Sequence, residues 1–573
     1  MAHPLRLLSE RFQAAMTSAF GDEGARAGAV LRRSGPGRFG DYQANGAMAL
    51  AKRLGKPARE VATAIVERLD LADAATVEVA GPGFLNITLT AGVLAGAASE
   101  MAADPRLGVT PAQQPETVVV DYSGPNLAKE MHVGHLRSTV IGDAIVRVLS
   151  VLGHRVIPQN HVGDWGTQFG MLVEHLGGKG GAERSIGDLD QFYREASARF
   201  TSDAAFADRA RRRVVALQNG DPETLATWRA LVAESARHAR EAYDRLGVTL
   251  TDADIRGESA YNPMLATVAA DLEAAGVARI DAGALCAFPP GFANREGEPL
   301  PLIVRKADGG FGYAATDLAA LRHRVAELGA DRLAYVVDAR QSQHFAMMFA
   351  VARAAGWLTE GVRAEHVAFG TVLGPDGKPL KTRSGDNVRL IKLLDEAVER
   401  AGAVVEEKSP DLDPAARAAV ARAVGIGAVK YADLANDRSR DYTFDFDRML
   451  AMDGNTAPYL QYANARIRSI LGKAGEARPG PVALTHPAER ALVLELCELA
   501  PAVEATAEWL QPHRLCTYLF SLATRFTAFY ESCPVLAAPD DRTQASRLAL
   551  TALAGRTLAF GLGLLGIEAP ERM

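Results

Sequence analysis

The stretch Thr117-Val-Val-Val-Asp-Tyr-Ser-Gly-Pro-Asn-Leu-Ala-Lys-Glu-Met-His-Val-Gly-His135 leads from an apolar run, through a turn, into the start of a helical pattern. The run from Thr117 to Ser123 predicts a β-strand, and apolar residues at i, i+4 spacing from Leu136 to Leu152 predict a helix packed against a sheet. Gly153 is typical of a helix end, and a second strand-like run follows at Arg155 to Pro158. This β-turn-helix-β unit is half of a doubly wound α/β fold.

His132 and His135 lie at the predicted start of this helix, with Gly134 between them. A helix start offers unpaired backbone N–H groups and the positive end of the helix dipole, and both favour phosphate oxygens. Gly134 adds no side chain, so a polyphosphate or a flat adenine can approach the backbone closely. We therefore predict an ATP site here. The alternative interpretation is a pair of surface histidines in a turn.

Composition narrows the class of protein. The 573 residues are enough for several domains, and the net charge of −6 excludes a uniformly basic surface, so any RNA must be bound by local patches. No apolar run is long enough to span a membrane, and no signal-peptide pattern is present. The four cysteines are scattered without C-x-x-C spacing, which predicts neither a zinc site nor a disulfide framework: Cys286, Cys497, Cys516 and Cys533. We expect a cytoplasmic protein that contacts no membrane.

The pattern along the chain predicts three domains. Residues 1–110 mix helices (Pro4 to Ala19 and Gln43 to Leu54) with short strands, as in a small α+β module. Residues 111–395 form an α/β core with a doubly wound parallel sheet, interrupted by a helical insertion at about 175–300. Further strands of that sheet are predicted at Leu302 to Arg305, Arg332 to Val337 and His366 to Leu373. Residues 396–573 are almost wholly helical in pattern.

A basic loop follows the last of these predicted strands. Lys378, Lys381 and Arg383 lie in a glycine- and proline-containing segment, Gly374 to Gly385, in a chain in which lysine is scarce. Three cations on a mobile loop can close over a triphosphate and stabilise a leaving pyrophosphate. The alternative is an exposed basic hairpin. Lys129, just before the histidine pair, is a further lysine at the same predicted mouth.

Polar residues also gather at the predicted strand ends. Two carboxylates, two amides and a phenol there suit a planar cation rich in donors, such as a guanidinium: Asp121, Asn126, Tyr313, Asp317 and Gln341. Each of them, taken singly, is also common as a helix cap or turn residue. Gly163 and Asp164, in a glycine-rich segment after the second strand, fit either a contact to a ribose or adenine edge or a tight packing turn.

The sequence resembles the class I arginyl-tRNA synthetases over essentially its whole length. The matching motifs are Asp121 to Thr139, Asn160 to Gly170, Asp308 to Asp317, Asp338 to His344, the lysine loop, Val424 to Asp433, Gly454 to Ala463 and the terminal Glu571-Arg-Met573. The resemblance implies ATP-dependent formation of arginyl-adenylate and transfer of the arginyl group to its tRNA. It also implies an N-terminal domain at the tRNA elbow, a Rossmann-type catalytic domain and a helical anticodon-binding domain.

The resemblance assigns roles to residues of this chain. The histidine signature is Pro125, Asn126, Leu127, Ala128, Lys129, Glu130, Met131, His132, Val133, Gly134 and His135. Catalytic or ATP-binding residues are Lys129, His132, Val133, Gly134, His135, Gly163, Asp164, Lys378, Lys381 and Arg383. Arginine is held by Asn126, Tyr313, Asp317 and Gln341, with Asp121 a further member, and tRNA by Asn45, Phe84, Asn86, Tyr459 and Tyr462. The expected partners are tRNA(Arg), L-arginine and ATP with Mg²⁺; we expect no dedicated metal site and a monomer.

The second class signature departs from its usual Lys-Met-Ser-Lys-Ser pattern. Lys381-Thr-Arg-Ser-Gly385 lacks the second lysine, at Ser384. The resemblance implies that a lysine upstream of the histidines, here Lys129, takes its place, and that arginine activation requires bound tRNA. Two alternatives remain at this stage: a nucleotidyltransferase with the same histidine-bearing helix start, and a catalytically silent tRNA-binding relative.

Overall fold

A computed structural model describes residues 4–35, 39–71, 73–177, 189–381 and 388–573. The N-terminal elements form a four-stranded antiparallel sheet, ordered β1-β2-β4-β3, with helices against it. They are α1 (Pro4–Arg26), β1 (Leu31–Arg33), β2 (Tyr42–Ala44), α2 (Gly46–Leu54), α3 (Ala58–Val66), β3 (Ala75–Ala80), β4 (Phe84–Leu89) and α4 (Ala91–Ala103). The predicted helix from Gln43 therefore begins later, because Gln43 lies in β2 and pairs with Asn86 of β4.

The core begins with the predicted β-turn-helix-β unit, and the insertion follows it. The first part contains β5 (Thr117–Asp121), α5 (Val133–Val151), β6 (Arg155–Gln159) and α6 (Thr167–Gly177). The insertion contains α7 (Leu189–Ser202), α8 (Ala204–Gln218), α9 (Pro222–Leu246), α10 (Asn262–Ala274), β7 (Ala278–Asp281), β8 (Ala284–Ala287) and β9 (Leu302–Arg305). The second part of the core contains α11 (Tyr313–Ala326), β10 (Arg332–Tyr335), α12 (Ser342–Ala354), β11 (Arg363–His366) and β12 (Val372–Leu373).

The core sheet is parallel, with the order β11-β10-β5-β6. Alternate side chains of β5 face opposite hydrophobic clusters: Val118 and Val120 pack in the cluster that contains α5, and Val119 packs in the cluster of α11 and α12. Helices thus cover both faces, as a doubly wound sheet requires. The predicted α/β fold class is confirmed.

Two runs predicted as strands of the core sheet pair with other strands instead. Leu302–Arg305 is a strand, but it pairs antiparallel with β8 in a separate three-stranded sheet, order β7-β8-β9, because the turn at 288–301 returns the chain beside β8. The run predicted from His366 to Leu373 is divided. Its first residue ends β11, and Val372–Leu373 pairs in parallel with Tyr442–Thr443, here β13.

The rest of the chain is helical: α13 (Leu390–Lys408), α14 (Pro414–Leu434), α15 (Phe446–Met449), α16 (Ala457–Lys473), α17 (Pro487–Leu496), α18 (Leu499–Trp509), α19 (His513–Ser532) and α20 (Asp541–Leu564). Buried charges join α14 to α5, the helix that starts at the histidines. Arg137 Nε lies 3.1 Å from Asp433 Oδ2, and Lys430 Nζ lies 4.0 Å from Asp143 Oδ2. Lys430 also donates to the carbonyls of Leu246 (2.8 Å) and Gly566 (2.6 Å), which ties the insertion and the chain end to the core.

The N-terminal domain contacts the helical domain directly. Tyr42 donates to Glu498 Oε1 (2.8 Å), and Arg33 pairs with Glu495 (2.9 Å). Arg490 donates to the carbonyl of Leu89 at 2.8 Å. The two terminal domains are therefore held together beside the core. Within the described residues, no helix has the length and apolar character needed to cross a lipid bilayer.

Candidate active site

Buried polar side chains form hydrogen bonds to the turn that follows β5. Ser123 and Gly124 both have positive φ (70° and 51°), and the amide of Gly124 donates to Asn160 Oδ1 (2.9 Å). The Ser123 amide donates to Ser138 Oγ (2.9 Å), and Tyr243 Oη contacts both Ser123 Oγ (2.8 Å) and Asn160 Nδ2 (2.9 Å). Satisfied buried networks of this kind hold a backbone in one conformation. The turn thus carries the chain to the histidines at a fixed position.

The two histidines cap α5 reciprocally. His132 Nδ1 accepts from the Gly134 amide, and His135 Nδ1 accepts from the His132 amide, both at 3.1 Å; the rings are 4.1 Å apart between centroids. A neutral imidazole that accepts at Nδ1 carries its proton on Nε2. Burial, with the neighbouring His132, lowers the pKa of His135 to about 3, so this ring is a neutral N–H donor at physiological pH.

The expectation of unpaired backbone N–H groups at this helix start is wrong. The Val133 amide donates to the carbonyl of Val388 (2.9 Å), and the Gly134 amide is taken by His132. Donors for an anion here are therefore side-chain groups. The structure adds a second reason for Gly134: a Cβ at this position would lie 2.8 Å from His132 Cε1, so the missing side chain makes room for the ring.

The segment that follows the lysine loop pairs with the histidine signature. Val388 to Leu390 pairs with Met131 to Val133, since Leu390 N also donates to the Met131 carbonyl (3.0 Å). Lys378 lies on a tight turn closed by Gly374 N to its carbonyl (2.7 Å), and both Lys378 and Lys381 are exposed. Arg383 and the substituted Ser384 lie outside the described residues.

Lys129 faces the insertion. Its Nζ lies 4.3 Å from the ring centroid of Tyr193, a cation–π contact between the histidine segment and α7. The next residue, Glu130, pairs with Arg389 at 3.4 Å, which adds a charged contact between the two signatures. The Lys129 ammonium therefore lies at a junction of the core and the insertion.

A group of acids lies at the start of α11. Asp317 Oδ2 is 2.6 Å from His344 Nε2, and Tyr313, in the turn before Asp317, is 71% exposed. Burial, with the charges of Glu258 and Asp317, raises the pKa of Tyr313. Burial, with the charges of Asp317 and Asp164, raises the pKa of Glu258 to about 8. Ionised together, these groups would repel one another, so their surroundings favour a cation.

Glu258 was missed by sequence reasoning because it lies inside the insertion. The segment before it continues the edge of the core sheet: Arg256 N donates to the Asn160 carbonyl (3.0 Å), and Glu258 N donates to the Val162 carbonyl (3.1 Å). This pairing is not readable from local periodicity. His344 was also missed, although its place three residues after Gln341 was a usable signal.

The contacts of Asp164 stabilise a turn of the protein. It is 5% exposed and accepts from the Ser259 amide (2.9 Å) and hydroxyl (2.6 Å), and a Cβ on Gly257 would lie 2.1 Å from its Oδ2. Asp164 thus holds the turn that carries Glu258. Gly163 lies against Asn126, whose neighbour Leu127 donates to the Gly163 carbonyl (2.9 Å).

The remaining predicted arginine ligands have these surroundings. Asp121 already has a cationic partner, since Arg324 Nη2 lies 2.8 Å from its Oδ2 and Arg324 is almost fully buried. Asn126 Oδ1 accepts from the Ala128 amide (2.9 Å), which is the contact of a turn residue. Gln341 is exposed on the short turn Ala339–Gln341 that follows β10.

The predicted tRNA residues lie on the two terminal domains. Asn86 is 6% exposed and accepts from Gln43 Nε2 (2.9 Å), while Phe84 is half-buried at the start of the same strand. Asn45 precedes α2, and its Oδ1 is buried with no hydrogen-bond partner in the described part of the chain. On α16, the Tyr459 ring packs 5.8 Å from Phe520, and Tyr462 is 39% exposed beneath the Arg466 guanidinium (5.4 Å).

The structure fits a class I aminoacyl-tRNA synthetase: it has a parallel doubly wound sheet, a histidine-capped helix after β5 and a lysine loop joined to that helix start. Comparison with known families identifies that class. Three family models match: the arginyl tRNA synthetase N terminal domain (residues 6–89), the catalytic domain of the class I tRNA synthetases (R) (99–446) and the DALR anticodon binding domain (460–573). The chain belongs to the arginyl-tRNA synthetase family.

Relatives match over the full length. An arginine–tRNA ligase of Thermobifida fusca is 55% identical and one of Frankia casuarinae is 51% identical, each over all of both chains. The solved arginyl-tRNA synthetase of Thermus thermophilus superposes with a TM-score of 0.84 at 28% identity, over 99% of this chain and all of that one. The chain is an arginine–tRNA ligase that uses ATP to attach arginine to its tRNA, which excludes the nucleotidyltransferase and silent-relative alternatives.

Proposed function

We propose that Asp317 of α11 and Glu258, in the turn before α10, bind the guanidinium of arginine. Asp317 and Glu258 supply carboxylate acceptors from two elements, and Tyr313 supplies a phenol beside them. The observation that carries the proposal is the placement of two carboxylates together: the Glu258 amide donates to the Val162 carbonyl (3.1 Å) at the edge of the core sheet, which brings Glu258 within electrostatic reach of Asp317. The pKa of Glu258, raised to about 8, agrees with this, because a partly buried acid that is costly to ionise alone becomes favourable to ionise beside a cation. Gln341 and Asn126, at neighbouring strand ends, are proposed to hold the amino acid's backbone groups.

Asp121 is proposed to act through Arg324. Its carboxylate forms an ion pair with that buried guanidinium, which also donates to Gln159 Oε1 (2.7 Å). A carboxylate neutralised in this way offers less negative charge to a ligand. We therefore propose that Asp121 positions the end of β5 and contributes less than Asp317 to arginine affinity.

ATP is proposed to bind at the start of α5. His132 and His135 each carry the proton on Nε2, and the helix dipole adds partial positive charge at the same end. The carboxylate of arginine attacks the α-phosphorus, and pyrophosphate leaves. The protein aligns the reactants and stabilises the developing phosphate charge, for which Lys129, Lys378 and Lys381 are proposed.

Mg²⁺ is proposed to enter with ATP. The described residues contain no group of three or more His, Cys, Asp or Glu side chains that could hold a metal ion. Phosphate oxygens are the usual ligands of such an ion, with few side chains and several waters, and its positive charge would be supplied at the phosphates.

Three domains are proposed: residues 1–110 contact the tRNA elbow, residues 111–395 carry out catalysis, and residues 396–573 bind the anticodon. Phe84, Asn45 and Asn86 are proposed to contact the tRNA elbow, and Tyr462 with Arg466 to stack on unpaired anticodon bases. A monomer is proposed as the working state of the chain. The four cysteines are buried and form no disulfide bond among the described residues, which supports a reducing, cytoplasmic compartment.

The arginine site is tested with Asp317→Ala. We expect the KM for arginine to rise by about 100-fold, the scale of a lost hydrogen-bonded charge, while the KM for ATP changes by less than about threefold. Aminoacylation with each substrate varied in turn measures both values. Asp271→Ala, which removes a surface acid paired with Arg322 at 2.6 Å, is the matched control. An equal loss for arginine and ATP would reject the assignment.

A further inference from the structure

His344 contacts the proposed arginine site from α12. It is the third residue of that helix, and its Nε2 lies 2.6 Å from Oδ2 of Asp317. An ionised carboxylate accepts hydrogen bonds and has none to donate, so the imidazole is the donor in this pair. The contact joins the N-terminal parts of α11 and α12. Tyr313 is the first residue of α11, and Gln341 directly precedes α12.

The ring of His344 is held in place by aromatic packing. Phe345 meets it edge-on at 5.6 Å and is itself stacked on His366 at 4.8 Å and packed against Tyr335 at 5.1 Å. The side chains of His344 and Asp317 are each about one quarter exposed, at 26% and 25%. The pair is thus packed on one side against aromatic rings and remains partly accessible to solvent.

A carboxylate needs a fixed plane to recognise a guanidinium. The terminal torsion of aspartate is broad, so an isolated carboxylate samples many orientations, whereas bidentate pairing with a guanidinium requires one. A hydrogen bond at Oδ2 restricts that torsion. Each carboxylate oxygen has two acceptor positions, so Oδ1 and the second position of Oδ2 remain for the ligand.

Resting on the proposed arginine site, we propose that His344 is a positioning residue: its Nε2–H fixes the Asp317 carboxylate in the plane that pairs with the substrate guanidinium. The hydrogen bond to Asp317 also raises the pKa of His344, as expected for an imidazole that donates to a carboxylate. His344 contributes to the selection of arginine over lysine, because a compact ammonium has no planar fork and depends less on the carboxylate plane.

The test uses two replacements at one position in the full-length enzyme. His344→Gln places an amide donor near the position of Nε2, whereas His344→Leu fills the space without a donor. We expect His344→Leu to raise the KM for arginine by about tenfold, the scale of one hydrogen bond to a charged group, with the KM for ATP changed by less than about twofold. His344→Gln is expected to restore the arginine KM to within about threefold of wild type.

Two further proteins separate the possible outcomes. His154→Leu removes a histidine that precedes β6, at the amino end of that strand, and is expected to leave the arginine KM unchanged. Asp317→Asn tests the site itself. A raised arginine KM in Asp317→Asn with a wild-type value in His344→Leu would overturn the role of His344 and leave the arginine site standing. Equal losses in His344→Gln and His344→Leu would also overturn the donor role, and an unchanged Asp317→Asn would refute the site. Thermal unfolding checks that all variants are folded.

Discussion

Glu258 makes arginine affinity depend on pH in a predictable direction. Its pKa in the free enzyme is about 8, so at pH 7 only about one molecule in ten carries the charge that a guanidinium requires. Ionising Glu258 at pH 7 therefore costs about 1.4 kcal/mol, which corresponds to one pK unit. This cost weakens the binding of arginine by the same free energy. At pH 8.5 most molecules are already ionised. We therefore expect wild-type enzyme to bind arginine about eightfold more tightly at pH 8.5 than at pH 7.0.

Isothermal titration calorimetry measures this effect directly. At pH 7.0, binding should release nearly one proton, seen as a difference in heat between buffers of different ionisation enthalpy. Glu258→Gln removes the charge and should weaken binding at pH 8.5 by at least about tenfold, but less at pH 7.0. The ratio between the two proteins at each pH cancels the titration of arginine itself.

Glu327→Gln is the matched control, since Glu327 is exposed at the far end of α11. It should keep the wild-type pH dependence. A wild-type Kd that is equal at pH 7.0 and 8.5, or a Glu258→Gln protein that keeps the full slope, would refute the reasoning.

Three further changes test other parts of the site. Gly134→Ala brings a Cβ to 2.8 Å from His132 Cε1, so the ring must move, and ATP–pyrophosphate exchange should slow by about tenfold. Gly563→Ala, which meets no atom within 4 Å, should have no such effect, and normal exchange in Gly134→Ala would contradict the capping role. Lys129→Ala should slow adenylate formation in stopped-flow measurements by about tenfold or more while leaving tRNA binding nearly intact, and unchanged activation kinetics would exclude its proposed part in charge stabilisation. Asp433→Asn leaves the buried Arg137 guanidinium without its charged partner and should lower the free energy of unfolding by about 3–5 kcal/mol in urea titrations, whereas a loss below about 1 kcal/mol would contradict the importance of this pair.

The local spacing of apolar residues was sufficient to predict the individual helices and strands at the start of the core. The helix from Val133 to Val151 and the strands on each side of it follow from apolar spacing and a terminal glycine. The strand at Leu302–Arg305 was also found, but its partner was not, since a strand's period of two does not specify which neighbour it pairs with.

The candidate site divides in the same way. His132 and His135 were found because their chemistry and their place at a helix start coincide in sequence. Glu258 was not, because its position depends on backbone pairing of the insertion with Asn160 to Val162, about a hundred residues earlier. The partner of Asp121 was hidden for a similar reason: Arg324 reaches it from the far end of α11.

A crystal structure of the enzyme with L-arginine tests the proposed site most directly. We predict the guanidinium within about 2.7–3.1 Å of carboxylate oxygens of Asp317 and Glu258, with His344 Nε2 still bonded to Asp317. An arginine bound with its guanidinium away from both acids would contradict the account.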